Sequence, residues 1–201
     1  MTTKQSQEIR FATSADGTSI AYACAGAGPI LVRAGLWMGH LEQDWKSPIR
    51  KPLLDEMCRT YTFCRYDARG CGLSDRDVTD VSLDAMVSDL EAVVDAAGLD
   101  QFSLLSLSAG GALAIAYAAK HPRRVSRMAL YGAFARGPLK RNPTPKQIEE
   151  AQLLVKLIEM GWDDENPAYR QFHTSQFMPG ATNNQRTNGR LERTATDHAI
   201  A

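Results

Sequence analysis

A chain of 201 residues with 44% hydrophobic and 23% charged side chains suits one globular domain and excludes disordered and fibrous classes. Lys+Arg and Asp+Glu number 23 each, so bulk attraction to nucleic acid or to an anionic membrane does not organise this chain. The zero conceals a split: residues 1–100 carry a net charge of −5 and residues 101–201 a net charge of +5.

In chain order, Ile9–Thr13 and Ser19–Ala25 are β-rich runs around Ser14-Ala15-Asp16-Gly17-Thr18, whose Asp-Gly pair supplies hairpin turn chemistry. After Gly26-Ala27-Gly28-Pro29, the apolar Ile30-Leu31-Val32 predicts a strand buried on both faces. A helix near Pro48–Arg59 and a strand over Tyr61–Tyr66 follow. Ser82 is placed as the N-cap of a helix whose Leu83, Met86, Val87, Leu90, Val93, Val94 and Ala97 keep a 3.6-residue period, with Gly98 positioned to end it. Phe102–Leu107 reads as a buried strand, Ala109–His121 as a small-residue helix stopped by Pro122, and Met128–Tyr131 as the next strand.

This alternation predicts an α/β fold with a mostly parallel sheet, right-handed crossovers and an N-terminal antiparallel hairpin. Beyond Gly137 the rhythm stops. Thr144 caps a helix running to about Met160, and Asn166–Phe177 suggests a second, the pattern of a helical cap. Gln101–Ala119 has no charge over nineteen residues, but its serines and glycines mark a strand running into a helix rather than a membrane span.

Cys24, Cys58, Cys64 and Cys71 show neither Cys-x-x-Cys nor zinc spacing, and Met1–Arg10 is polar. They read as packing residues in a reducing cytoplasm, with no metal and no cofactor expected. Gly26-x-Gly28 and Gly70-x-Gly72 do not open helices, so neither predicts a dinucleotide cradle. His40-Leu41-Glu42 lacks the Pro-Cys-x-x-Cys that a zinc deaminase needs.

The chemistry concentrates in Ser106-Leu107-Ser108-Ala109-Gly110-Gly111, where a buried strand turns directly into a helix. A nucleophile held at such a turn needs small residues two positions before and after it. Ser106 and Gly110 meet that demand around Ser108. Centring the turn on Ser106 would put the bulky Leu104 at a flank. Ser108 is therefore the candidate nucleophile, and the Ala109 N–H at the helix start is a candidate oxyanion donor. Ala34-Gly35-Leu36, after the strand at Ile30–Val32, sits where a second donor belongs, here the Leu36 N–H. Tyr66-Asp67-Ala68-Arg69-Gly70-Cys71-Gly72-Leu73-Ser74-Asp75 is a turn-rich run after a strand.

Taken in order, hairpin, oxyanion loop, Asp-x-Arg-Gly-x-Gly-x-Ser, helix, elbow, helix, strand and cap resemble the α/β-hydrolase superfamily. Within it the chain is similar to bacterial hydrolase-like domains often fused to nucleotide-cyclase or helix-turn-helix modules. That closer resemblance rests on Ser14–Thr18, Asp44-Trp45-Lys46-Ser47-Pro48, Arg69–Gly72, Leu130-Tyr131-Gly132 and Phe177–Thr182. It implies a serine hydrolase of carboxylic esters or related small acyl compounds, with no nucleic-acid or membrane partner. The alternative is a non-catalytic ligand-binding or sensory domain.

The sequence departs from the family pattern in three places. Ser106 replaces the first elbow glycine, and Ala34 stands in the common His-Gly pair. The family's acid and His arrive on strands after the cap, and this chain is expected to stop short of them, leaving Ser108 without its base. His121 reads as a helix C-terminal cation, His173 as a cap residue, His198 as a tail residue and His40 as a solvated loop residue.

Three regions are expected: 1–137 as the hydrolase core, 138–182 as a partial cap and 183–201 as an irregular tail. In that tail the helical period is lost, consistent with a frame slip near residues 183–189. Lys120–Lys146 holds eight basic residues and no acid. It reads as a solvated helix end, with docking of an anionic partner as the alternative.

Overall fold

The computed structural model describes residues 6–35 and 39–161. Strands β1 (Arg10–Thr13), β2 (Ser19–Ala25) and β3 (Ile30–Ala34) come first. Helices α1 (Leu41–Lys46) and α2 (Lys51–Thr60) then lead into β4 (Thr62–Tyr66). After β4 come α3 (Leu83–Ala96), β5 (Phe102–Leu107), α4 (Gly110–Lys120), β6 (Val125–Tyr131) and α5 (Pro145–Gly161).

The six strands form one sheet in the order β1-β2-β4-β3-β5-β6. β1 pairs antiparallel with β2 and β2 with β4, whereas the β4-β3-β5-β6 ladder is parallel. The antiparallel opening follows from the Ser14–Thr18 turn, where Gly17 takes φ +90° and Thr18 donates its N–H to Asp16 Oδ1 at 3.0 Å. The parallel part follows from the helices between strands, which return the chain to the same sheet edge. From β3 the chain first pairs on one side with β4, then crosses to the other side with β5. A crevice therefore opens between the C-terminal ends of β3 and β5, where ligands bind in open α/β sheets.

One sheet face packs on α3 and α4, with Val32, Leu90, Val94, Phe102, Leu104, Leu113 and Tyr117 among the buried residues. The other packs on α1 and α2 through Leu31, Leu54, Cys58 and Phe63. α3 begins as its sequence demands: Ser82 Oγ accepts from the Ala85 N–H at 3.2 Å, and Gly98 takes φ +67° just past its end.

Several expectations need correction. α1 has no counterpart in the sequence reading, and α2 starts at Lys51 rather than near Pro48. β5 is buried only at alternate residues: Phe102, Leu104 and Ser106 face α3 and α4, while Ser103, Leu105 and Leu107 stay part-exposed. Leu130 and Tyr131 of β6 are exposed. The cysteines are not four separate packing residues. The β2–β4 register sets Cys24 directly opposite Cys64, and the two are disulfide-bonded, while Cys58 and Cys71 are free. In the reducing compartment expected from the sequence, this pair would be held as two thiols. His40 is buried at the start of α1 rather than solvated. Among the described residues no helix is long and apolar enough to cross a membrane. The second cap helix, His173, His198 and the tail lie outside the described residues, as does Leu36.

Candidate active site

β5 ends at Leu107, and α4 begins three residues later at Gly110. Ser108 makes the turn with φ +50°, a left-handed conformation that costs a residue with a Cβ about 1–2 kcal/mol. The turn is pinned on both sides: the Ser108 N–H donates to Tyr131 O at 3.1 Å, and Ser108 O accepts from the Gly111 N–H at 3.1 Å. The Ser108 side chain is exposed at the C-terminal end of β5, at the topological crevice. Ala109 is the N-cap of α4. Its N–H meets no acceptor among the described residues and opens the helix N-terminus, where developing negative charge is stabilised.

The size constraint read from the sequence has a direct cause. A Cβ on Gly110 would come to 2.6 Å from Gly35 O, 2.8 Å from Ser106 Oγ and 3.0 Å from Ala34 O. The loop after β3 thus presses its carbonyls onto the first turn of α4. Ser106 is fully buried beneath the elbow, and its Oγ has no hydrogen-bond partner among the described residues. Gly111 serves a second approach, since a Cβ there would lie 2.6 Å from Ala133 Cβ.

Tyr66 escaped the sequence reading. Its Oη accepts from the Gly35 N–H at 3.0 Å and so fixes the start of the loop after β3 from the end of β4. Burial pushes its phenol well above the usual tyrosine range. The hydrophobic strand pattern concealed it, because a tyrosine closing a strand resembles ordinary core. Between α3 and α4, against the elbow, lies a mostly apolar cavity of about 280 Å³ lined by Gly35, Tyr66, Leu83, Met86, Ala109, Gly110 and Leu113.

The Asp67–Asp75 run supports the site rather than reacting. Asp67 accepts from the N–H groups of Leu41 and Leu73, each at 2.9 Å, joining α1 to the turn after β4. Gly72 takes φ +55°, and a Cβ there would also collide with the Asp67 carboxylate, so the position needs glycine twice over. Arg69 is buried and bidentate on Asp89 at 2.6 and 2.8 Å, and it also donates to Asp16 Oδ2 and Asp80 O at 2.8 Å each. It fastens α3, one wall of the cavity, to the first hairpin.

Two histidines lie among the described residues. His121 contacts Glu91 at 2.6 Å at the far end of α4 from Ser108, about 16 Å of helix away. His40 lies buried at the start of α1. No cluster of metal-ligating side chains occurs among the described residues.

The family model of the alpha/beta hydrolase fold matches residues 29–192. A proline iminopeptidase from Saccharolobus solfataricus is 33% identical over 111 residues, 52% of this chain and 36% of that protein. The crystal structure of an esterase from Rhodococcus sp. ECU1013 has a TM-score of 0.64 at 26% identity, covering 96% of this chain and 68% of the other. The esterase EaEST from Exiguobacterium antarcticum has a TM-score of 0.69 at 25% identity, covering 94% and 69%. The chain spans about two fifths of the length of the curated relatives it matches. With a Ser-x-Ser-x-Gly elbow at the switch point of a six-stranded mixed sheet and a matching model over residues 29–192, this chain belongs to the alpha/beta hydrolase fold family.

Proposed function

We propose that this chain is a serine-nucleophile hydrolase of carboxylic esters or related small acyl compounds. Ser108 is the nucleophile, and the N–H groups of Ala109 and Leu36 are the oxyanion donors. One observation carries the reading: Ser108 holds φ +50° at the strand-to-helix turn. Such conformations persist where the surroundings over-determine them, and they cluster at functional sites. The relatives named esterase and iminopeptidase act at carbonyl carbons, and the reaction drawn here is of that kind.

Ser108 Oγ attacks the carbonyl carbon, and the C=O electron pair moves to the oxygen facing the Ala109 N–H. The tetrahedral intermediate collapses, the leaving group departs with a proton, and water hydrolyses the resulting acyl-serine. The hydroxyl proton needs a base. Of the two described histidines, His121 is held by Glu91 at the far end of α4, and His40 is buried at the start of α1. With no base assigned to Ser108 among the described residues, its labelling by an acylating probe is expected to be slow. A ligand-binding domain is the second reading, favoured by the apolar cavity beside the elbow.

A fluorophosphonate probe separates the two. Slow labelling at Ser108 that imidazole accelerates, and that Ser108→Ala abolishes, is the expected outcome. No labelling of Ser108 with or without imidazole would leave the ligand-binding reading standing.

A further inference from the structure

Outside the elbow, the most demanding chemistry lies on the opposite sheet face, where β3 and β4 meet α1. β3 and β4 run parallel with Val32 beside Cys64, so the next step of the ladder sets Arg33 beside Arg65. Both point to the face that carries Leu31, Phe63 and α2. Like charges side by side on one sheet face repel, and burial raises the cost further.

Among the described residues, the compensation on this face does not extend to Arg33. Asp44, buried on α1, accepts from Arg65 at 3.3 Å and from Arg50 at 2.8 Å. Arg65 also donates to Gln7 Oε1 at 2.8 Å and lies 5.7 Å from the centre of the Trp45 ring. Asp67, the next carboxylate, spends its oxygens on the Leu41 and Leu73 N–H groups. Arg33 makes no hydrogen bond and no ion pair among the described residues. Burial outweighs the attraction of Asp44 and pushes its guanidinium down to about 10, so it remains charged at neutral pH. As a residue Arg33 is half-buried.

We propose that Arg33, flanked by Arg65, forms a binding site for a small oxyanion, a carboxylate or phosphate group, that supplies the acceptor missing among the described residues. The planar guanidinium fork of Arg33 matches two oxygens of such a group, and the neighbouring Arg65 adds positive potential. The site lies on the face opposite the α3–α4 cavity and does not depend on Ser108 being catalytic.

Thermal unfolding of the intact chain tests this, in sodium phosphate or sodium succinate against sodium chloride at matched ionic strength. The wild type should gain midpoint temperature in a saturable way with at least one of the two anions, following ligand linkage. Which of the two acts identifies the group. Arg33→Met, which keeps the aliphatic stem, should lose that gain and unfold at or above the wild-type midpoint in chloride. Arg33→Lys keeps the charge but not the fork, and should need about tenfold more anion for half its effect. No gain over chloride in the wild type overturns the proposal, as does an undiminished gain in Arg33→Met. A lower chloride midpoint in Arg33→Met also overturns it, because the guanidinium would then be satisfied within the protein. Should Arg33→Met fail to fold, an unchanged half-saturation in Arg33→Lys overturns it equally.

Discussion

At the scale of single residues, the elbow is a packing solution before it is a chemical one. Ser108 can hold φ +50° because β5 below it and α4 above it are anchored independently, through Tyr131 O and the Gly111 N–H. A tight constraint falls on Gly110, whose missing Cβ leaves room for the backbone carbonyls of Ala34 and Gly35. Backbone atoms at both contacts cannot rotate away as the end of a side chain would. Gly110→Ala should therefore cost about 1–3 kcal/mol of stability, measured by urea unfolding, as expected for overpacking. Gly137→Ala is the control, because a Cβ there meets nothing within 4 Å, and it should change stability by less than about 0.5 kcal/mol. Equal costs at the two positions would show that loop and helix part readily, and the elbow would then lack the rigidity assigned to it.

At the scale of elements, Asp67 joins pieces that the sheet does not connect. Its carboxylate ties the first turn of α1 to the turn at Gly72, and burial raises it to about 6 although backbone N–H groups from Leu73 and Leu41 pull the other way. A folded value above the unfolded one means that the folded chain binds the proton more tightly. The contribution is thus present below about pH 4 and is lost as pH rises through about 6. Wild-type stability should accordingly fall relative to Asp67→Asn across that window. Urea midpoints from pH 4 to 7 measure the difference, and a constant gap between the two proteins would refute it. Contacts of this kind mark the limit of what the sequence shows. β2, α3, β5 and α4 are legible within a residue or two, because period, capping at Ser82 and the Gly98 stop are local signals. Ser108 and the need for small neighbours are legible for the same reason. Helix α1 is not: six residues with a buried Asp44 and a His40 N-cap carry no amphipathic period, and partners distant in sequence set their burial. Tyr66 and Arg33 likewise gain their meaning only from what the sheet places beside them.

At the scale of the whole molecule, the charge split resolves into contact rather than opposed poles. Glu91 and Asp95 of the acidic half, on α3, meet Lys120, His121 and Arg124 at the end of α4 with distances of 2.6–2.7 Å. Part of the basic stretch is therefore internal pairing, and α3 and α4 close one face of the sheet together. The Cys24–Cys64 bond acts at the same scale. β2 belongs to the antiparallel hairpin and β4 to the parallel ladder, so the crosslink ties the two halves of the sheet at their junction. It encloses a separation of 40 residues, a loop whose closure in the unfolded chain is worth about 4 kcal/mol in the chain-entropy account. In unreduced, denatured protein two thiols should titrate, those of Cys58 and Cys71, against four after reduction. Reductant should lower the urea midpoint while the β1–β2 hairpin keeps its register, because the Ser14–Thr18 turn holds that pair locally. Four reactive thiols without reductant would show that the two sulfurs are neighbours and no more. The sheet halves would then be joined by the β2–β4 ladder alone.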